Sequence, residues 1–386
     1  MVIAIDGLYL LMAKTGLGRY VESLVHGFQT TAPDNRYYLY DGPLDNAIYR
    51  MHRLSADPAT MTGFTDLSRF AVPTLTAKRT LAALSDYLTG RSQRALDEVD
   101  VFWGPGFKGV YRASFKSVIT VADMAHEYYP QSIPRPLAGF LRHRLPRELQ
   151  RADLIIAISE NTKADIMKFH NIDSSKIEVI YPGVGTEFSP VTDPATLQAV
   201  TRRYRLPQHY ILYVGAVQPR KNVESLIVAS SVLPGTHKLV IAGGVQWKSS
   251  AIGALIARLG VEARVVFTGY VQDCDLPALY SMATAFVMPS LYEGFGLPIL
   301  EAMACATPVV TSNVSSLPEA AGEAAILINP NSTEELSHAI TGIIHDKDLR
   351  HELKEKGPKQ AALFSWTKAA QQMLHAFATV PRKSQR

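Results

Sequence analysis

Short apolar runs recur along the chain, each ending at a glycine or polar turn and followed by apolar residues at helical spacing. Val2 to Ile5 ends at Asp6-Gly7. After the loop Thr15-Gly16-Leu17-Gly18-Arg19-Tyr20, residues Val21, Leu24, Val25 and Phe28 repeat every three or four positions. That pattern predicts a strand, a glycine loop and a helix. Further strands are predicted at Val99 to Trp103, Ser117 to Val121, Ala152 to Ser159, Tyr210 to Val214, Lys238 to Ala242, Val265 to Thr268, Ala285 to Ser290 and Ala325 to Ile328. Ser159-Glu160-Asn161-Thr162 carries capping residues for a helix, and Thr333-Glu334-Glu335 opens one whose stripe is Leu336, Ala339, Ile340 and Ile343. Phe364-Ser365-Trp366 introduces a last helix. Strands alternating with helices predict an α/β protein with parallel sheets covered on both faces. Between Thr31 and Arg94 the pattern is irregular, with a strand expected at Tyr37 to Tyr40 and helical segments around Thr80 to Leu88.

A length of 386 residues suits two domains, each of about 150–200 residues. With 47% hydrophobic and 19% charged residues the chain has ample material for buried cores, and a net charge of +4 gives no reason to expect nucleic acid as a partner. Cys274 and Cys305 have neither metal nor redox spacing, and so sparse a pair suits a reducing compartment. Met1 to Asp6 lacks the basic region and cleavage site of a signal peptide, and no apolar run is long enough to span a bilayer. The expected location is the cytoplasm, with any membrane contact peripheral, at the inner face.

Candidate chemistry concentrates at strand ends. Glu293 to Glu301 reads Glu-Gly-Phe-Gly-Leu-Pro-Ile-Leu-Glu between an apolar strand and a helix-forming run. Gly294 and Gly296 allow the backbone close to a ligand, and the N–H groups at the helix start form an anion site, for which phosphate is a natural guest. The two glutamates flank that site and suit sugar or ribose hydroxyls; the plainer alternative makes Glu293 a solvated loop residue and Glu301 a surface helix residue. Gly215 to Asn222 offers Arg220 and Lys221 at a turn opening a helix, where two cations neutralise a diphosphate. After the Val265 strand, Val271 and Asp273 are candidates for a nucleotide base, with Asp273 as a cap of a helix near Leu276 the alternative. Gly16 and Gly18 form a phosphate-binding loop but lack the third glycine of a dinucleotide fingerprint, which argues against a nicotinamide enzyme. Asp123 and His126 follow the Ser117 strand and are candidates for orienting an acceptor or sharing its proton. Arg135, Arg142, Arg144, Arg147 and Arg151 interleave with leucines in a segment interrupted by Pro146. Two readings stand for it: a contact with an anionic membrane surface, or a solvated helix with its leucines on the core.

The carboxylates eight apart around Gly294-Phe295-Gly296, with Ala302 to Val310 after them, resemble the signature of the family 4 (group 1) nucleotide-sugar glycosyltransferases, closest to bacterial polysaccharide mannosyltransferases. The resemblance is strong from Ala152 to Ile328 and implies the GT-B fold, two Rossmann-like domains facing a cleft. It divides the chain into an acceptor-binding domain over 1–188, a donor-binding domain over 189–363, and a helix and basic tail over 364–386 that crosses back. Ala152 to Ser159 with Ile177 to Val184 is similar to the family's crossover, with a linker expected near Ser189 to Leu206, and acceptor specificity is expected between Thr31 and Arg94.

For the site, the resemblance implies Glu293, Asp123 and His126 as catalytic residues. Donor-binding positions are Gly16, Gly18, Arg220, Lys221, Val271, Asp273, Phe295, Gly296, Leu297 and Glu301. Ala122 stands where the family carries a histidine, and Ala216 where many members carry a second cation, a role passed here to Arg220. The resemblance also implies a retaining, metal-independent activity with no other cofactor, and no Asp-x-Asp metal motif is found in a suitable strand-end loop. Asp-Met-x-His-Glu and Pro-Arg-Lys-Asn point to GDP-mannose as donor and to a glycan or lipid-linked acceptor. A UDP-sugar donor and a non-catalytic nucleotide-sugar binding protein are the alternatives.

Overall fold

A computed structural model describes residues 1–9, 16–41, 50–54, 91–133, 135–244 and 249–381. The chain forms two compact units. The first comprises 1–127, 133–182 and 366–386, and the second 128–132 and 183–365. The helical segments expected around Thr80 to Leu88 and the basic tail after Pro381 lie outside the described residues.

The strands of the first unit are β1 (Val2–Asp6), β2 (Arg36–Asp41), β3 (Arg50–Arg53), β4 (Val101–Gly104), β5 (Lys116–Val121), β6 (Leu154–Ala157) and β7 (Ile177–Val179). They form one sheet in the order β3-β2-β1-β4-β5-β6-β7, parallel except for the antiparallel edge strand β3. Reversal of strand order beside β1 is the doubly wound topology, and such a sheet presents its chemistry at the carboxyl ends of its strands.

The helix Gly16–Thr31 buries Val21, Leu24, Val25 and Phe28 completely. The Phe28 ring meets Trp103 and Phe377 edge-on at 5.4 and 5.8 Å. Phe377 lies on the last helix, Trp366–Thr379, which therefore completes the core of the first unit. A Cβ at Gly27 would stand 2.7 Å from Ala370 Cβ and 3.3 Å from the Trp366 carbonyl, so the two helices touch where a side chain would not fit. The basic segment is one helix, Arg135–Arg151, with Pro146 inside it rather than an interruption. Leu141, Leu145 and Leu149 are buried while Arg142, Arg147 and Arg151 face outward. Glu148 anchors the helix, accepting hydrogen bonds from Gly109 N (3.0 Å) and Tyr111 Oη (2.7 Å).

The second unit holds β8 (Tyr210–Val214), β9 (Lys238–Ala242), β10 (Val265–Gly269), β11 (Ala285–Met288), β12 (Val309–Ser312) and β13 (Ala325–Ile328). Their order is β10-β9-β8-β11-β12-β13, with every pairing parallel. Ile211, Tyr213 and Ile241 of the sheet pack with Leu226, Ile227, Leu336, Ile340 and Ile343 of the covering helices.

The unit boundaries differ from those expected at 188/189 and 363/364. They fall at 182/183 and 365/366 because residues 183–188 pack with the second unit. Val184 N donates to the Phe364 carbonyl at 3.1 Å, and the Phe188 ring meets Tyr280 at 6.2 Å. The stretch expected as a linker carries the helix Pro194–Tyr204, N-capped by Asp193.

Candidate active site

β11 delivers the chain at Pro289 into a loop that is buried rather than solvated: Ser290, Tyr292, Glu293 and Phe295 are all buried. Gly296 then takes φ 111° at the N-cap of the helix Leu297–Ala304. A side chain there would be strained, and a Cβ would press on Ile299 and Leu317 at 3.1 Å. The partial positive charge of the helix start is thus fixed beside the loop.

The turn after β8 brings two cations to the same place. Arg220 Nη1 donates to Glu293 Oε2 and Lys221 Nζ to Glu293 Oε1, both at 2.6 Å, and Ser290 Oγ adds a bond to Oε1 at 2.9 Å. The Arg220 and Lys221 side chains are only 16% and 14% exposed, so the ion pairs are shielded from water. Burial alone pushes the Glu293 carboxyl up, but the charges and hydrogen bonds of Arg220 and Lys221 outweigh it and hold the group down at about 2.

The frame around this cluster is tied by backbone contacts. Leu291 N donates to the Arg220 carbonyl at 2.7 Å, Arg220 Nη1 also reaches the Tyr292 carbonyl at 3.0 Å, and Ser315 and Ser316 hydroxyls donate to the Glu293 carbonyl at 2.6 and 2.8 Å. Asn222, at φ 55°, donates to the carbonyls of Pro289 (3.1 Å) and Pro330 (2.8 Å), fixing the cation turn to the end of β11.

Glu301 is also buried, and its carboxylate accepts a hydrogen bond from Tyr280 Oη at 2.9 Å. Neither glutamate is the surface residue of the plainer reading. Val271 is buried; Asp273 opens a short turn and accepts from Tyr270 Oη at 3.5 Å. Asp275, not Asp273, precedes the Leu276–Met282 helix. Asp273-Cys274-Asp275 does spell an Asp-x-Asp sequence after β10, but Asp275 is engaged by Arg203 (2.6 Å) and Tyr204 (2.7 Å), which ties up one of the two carboxylates.

In the first unit, Asp123 Oδ1 accepts from Ala125 N at 2.9 Å at the end of β5, and His126 is buried behind it. Burial lowers the His126 pKa against the opposing pull of Glu127 and Asp123, so the ring is neutral at pH 7. Gly16 begins its helix with open space where a Cβ would sit, and Gly18 is buried in the first turn. Two residue groups escaped the sequence reading. Ser290, Ser315 and Ser316 are ordinary turn residues in sequence, and the direct pairing of Glu293 with Arg220 and Lys221 spans 72 positions or more. The only signal for the pairing was that both groups stand at the carboxyl ends of neighbouring predicted strands.

This arrangement, two doubly wound units with a glycine-opened helix and paired cations at the strand ends of the second, defines the GT-B fold. Sucrose-phosphate synthase from Thermosynechococcus elongatus matches over 98% of both chains with a TM-score of 0.72 at 22% identity. Anabaena HepE, in a complex with UDP-glucose, matches over 98% of this chain and 99% of its own with a TM-score of 0.71 at 18% identity. Family models for Glycosyltransferase Family 4 and for Glycosyl transferases group 1 match residues 15–188 and 202–360. The chain is 34% identical over 282 residues to the O-antigen chain mannosyltransferase B of Escherichia coli, covering 72% of this chain and 74% of that one. It is 36% identical over 245 residues to the serotype-specific mannosyltransferase WbdA of Escherichia coli, covering 62% of this chain and 30% of that longer protein. The chain belongs to the family 4 (group 1) glycosyltransferases. Among the described residues no helix is long and apolar enough to cross a membrane.

Proposed function

We propose that this glycosyltransferase moves mannose from GDP-mannose to a glycan or lipid-linked acceptor in the synthesis of a cell-surface polysaccharide, with retention of configuration and without a metal at the diphosphate. The observation that carries the reading is the cluster of Arg220, Lys221 and Glu293 beside the Gly296-capped helix. Two cations and a helix start supply the electrostatic stabilisation that a departing nucleoside diphosphate needs. In this reading Glu301 holds the ribose, Glu293 and the backbone of Phe295 to Leu297 hold sugar hydroxyls and phosphate, and Val271 and Asp273 meet the base. The acceptor hydroxyl, oriented by Asp123, attacks the anomeric carbon on the face the diphosphate leaves, and its proton passes to the leaving diphosphate. The names of the relatives, O-antigen and serotype-specific mannosyltransferases, support the sugar and the pathway class.

A UDP-sugar donor is the second reading, favoured by the UDP-glucose complex of Anabaena HepE. Calorimetric titration with GDP, UDP, GDP-mannose and UDP-glucose without divalent metal separates the two. The proposal expects tight binding of the guanine pair, weakened in Glu301→Ala and, selectively for GDP, in Asp273→Ala. Preference for the uridine pair selects the second reading, and no binding of any of the four overturns both. Transfer or donor hydrolysis by the purified protein excludes a merely binding role, and the anomeric coupling of the product reads retention directly.

A further inference from the structure

The first unit contains a group of side chains that the donor chemistry does not use. His126 and Glu127 lie on the short helix Ala125–Tyr128, and His170 is the last residue of the helix Glu160–His170. One ligand-type atom from each, two imidazole nitrogens and a carboxylate oxygen, lie within 4.8 Å of one another. Both ring nitrogens of His126 and Nε2 of His170 are buried with no hydrogen-bond partner among the described residues. Buried polar atoms are normally paired, so unpartnered ring nitrogens of His126 and His170 beside the Glu127 carboxylate call for a ligand.

We propose that His126, Glu127 and His170 form a binding site for a transition-metal dication, with Zn2+ the ion that the donor set fits. His126 Nε2 and Glu127 Oε1 are 3.4 Å apart. Two ligands at bonds of about 2.0–2.1 Å around a tetrahedral ion stand about 3.4 Å apart, so this pair already has the required separation. Two neutral imidazoles and one carboxylate carry a single negative charge, to which the partial negative charge at the end of the His170 helix adds. The Asp123 carboxylate also acts on His126 and favours a cation, while Arg142 opposes it. Three protein ligands leave a fourth position open, the coordination of an exchangeable rather than closed zinc site. This site departs from the expectation, read from the sequence, of no metal at all; its residues belong to the first unit and Arg220, Lys221 and Glu293 to the second.

The test uses the full chain, stripped of metal and titrated with ZnCl2, with retained zinc measured after desalting. One zinc per chain is expected, together with a higher midpoint of thermal unfolding, and His170→Gln and Glu127→Gln should each weaken binding by at least about tenfold. His351→Gln is the control: His351 and Glu355 form an exposed pair at the same 3.4 Å, and its loss should change nothing. No zinc retained by the wild type, or equal retention in His170→Gln and Glu127→Gln, overturns the site. Should those variants fail to fold by circular dichroism, histidine-selective NMR of the wild type decides. The proposal requires the His126 and His170 ring signals to shift together at one equivalent; shifts confined to exposed histidines overturn it.

Discussion

Replacing Glu293 by glutamine changes almost no volume and removes one buried charge, leaving Arg220 and Lys221 facing a neutral amide. The Glu293 carboxyl is held at about 2 against an ordinary 4.5. At about 1.4 kcal/mol for each tenfold change in proton affinity, the fold favours the ionised form by about 3 kcal/mol. A similar figure, about 3–5 kcal/mol, is typical when one partner of a buried ion pair is removed. Because the folded pKa lies below the unfolded one, this stabilisation is fully present above about pH 4.5 and is lost as the pH falls towards 2. Glu293→Gln should therefore sit about 3 kcal/mol below the wild type at pH 7, with a gap that closes steadily from pH 4.5 downward. Two of the three tryptophans, Trp103 and Trp366, belong to the first unit, so tryptophan fluorescence does not report on the second unit alone. Hydrogen exchange of the β8 and β11 peptides, followed across denaturant at several pH values, reads the affected unit directly. Saturating GDP should narrow the gap at pH 7, since a diphosphate supplies the negative charge that the variant lacks. A variant within about 0.5 kcal/mol of the wild type at pH 7, or a gap unchanged at pH 3, would refute the electrostatic account.

Three further expectations rest on other contacts. Gly27→Ala, whose Cβ meets Ala370 Cβ at 2.7 Å, should cost about 1–3 kcal/mol by tryptophan-monitored urea unfolding, and Ala370→Gly in the same chain should recover most of it. Asn222→Ala loses both bonds to Pro289 and Pro330 and places alanine at φ 55°; GDP affinity should fall, with a stability loss of about 2 kcal/mol by denaturation. The Cys305 thiol is pushed up to about 12 by burial and the Glu301 charge, whereas Cys274 is exposed. A thiol reagent at pH 8 should modify one cysteine of the native protein and both after denaturation, counted by mass spectrometry.

The alternation of apolar runs and helical stripes was enough to read the architecture, because a parallel strand covered on both faces must be almost wholly apolar. Val287 and Val310 are examples, completely buried between strand neighbours. The glycine loop was legible for a similar reason, since Gly296 meets a backbone demand that other residues satisfy poorly. What remained hidden depends on contacts across long sequence separations. Nothing local to Pro219-Arg220-Lys221 says that these cations spend their charge on Glu293, and nothing local to Ser315 says that its hydroxyl clamps the Glu293 carbonyl. The first boundary was displaced by six residues because Val184 and Phe188 look like any strand-end residues until Phe364 and Tyr280 are beside them. His170 was passed over altogether, being one more polar residue at a helix end until the fold sets it beside His126 and Glu127.

The cation–carboxylate cluster also changes how the site must work. The sequence assigned Arg220 and Lys221 to the diphosphate and Glu293 to sugar hydroxyls as if they acted separately. In the fold, two positive charges share one carboxylate, leaving a surplus of one charge beside the helix start. That surplus is small enough to be tolerated in a buried loop and large enough to attract a dianion. A diphosphate entering there would draw on the same Arg220 and Lys221 hydrogens that Glu293 now accepts. Glu293 would then be freed in part for the hydroxyls of the sugar, so that grip on the sugar follows from grip on the phosphate. Removal of Glu293 and removal of either cation should accordingly be non-additive, because each single change already breaks the shared unit.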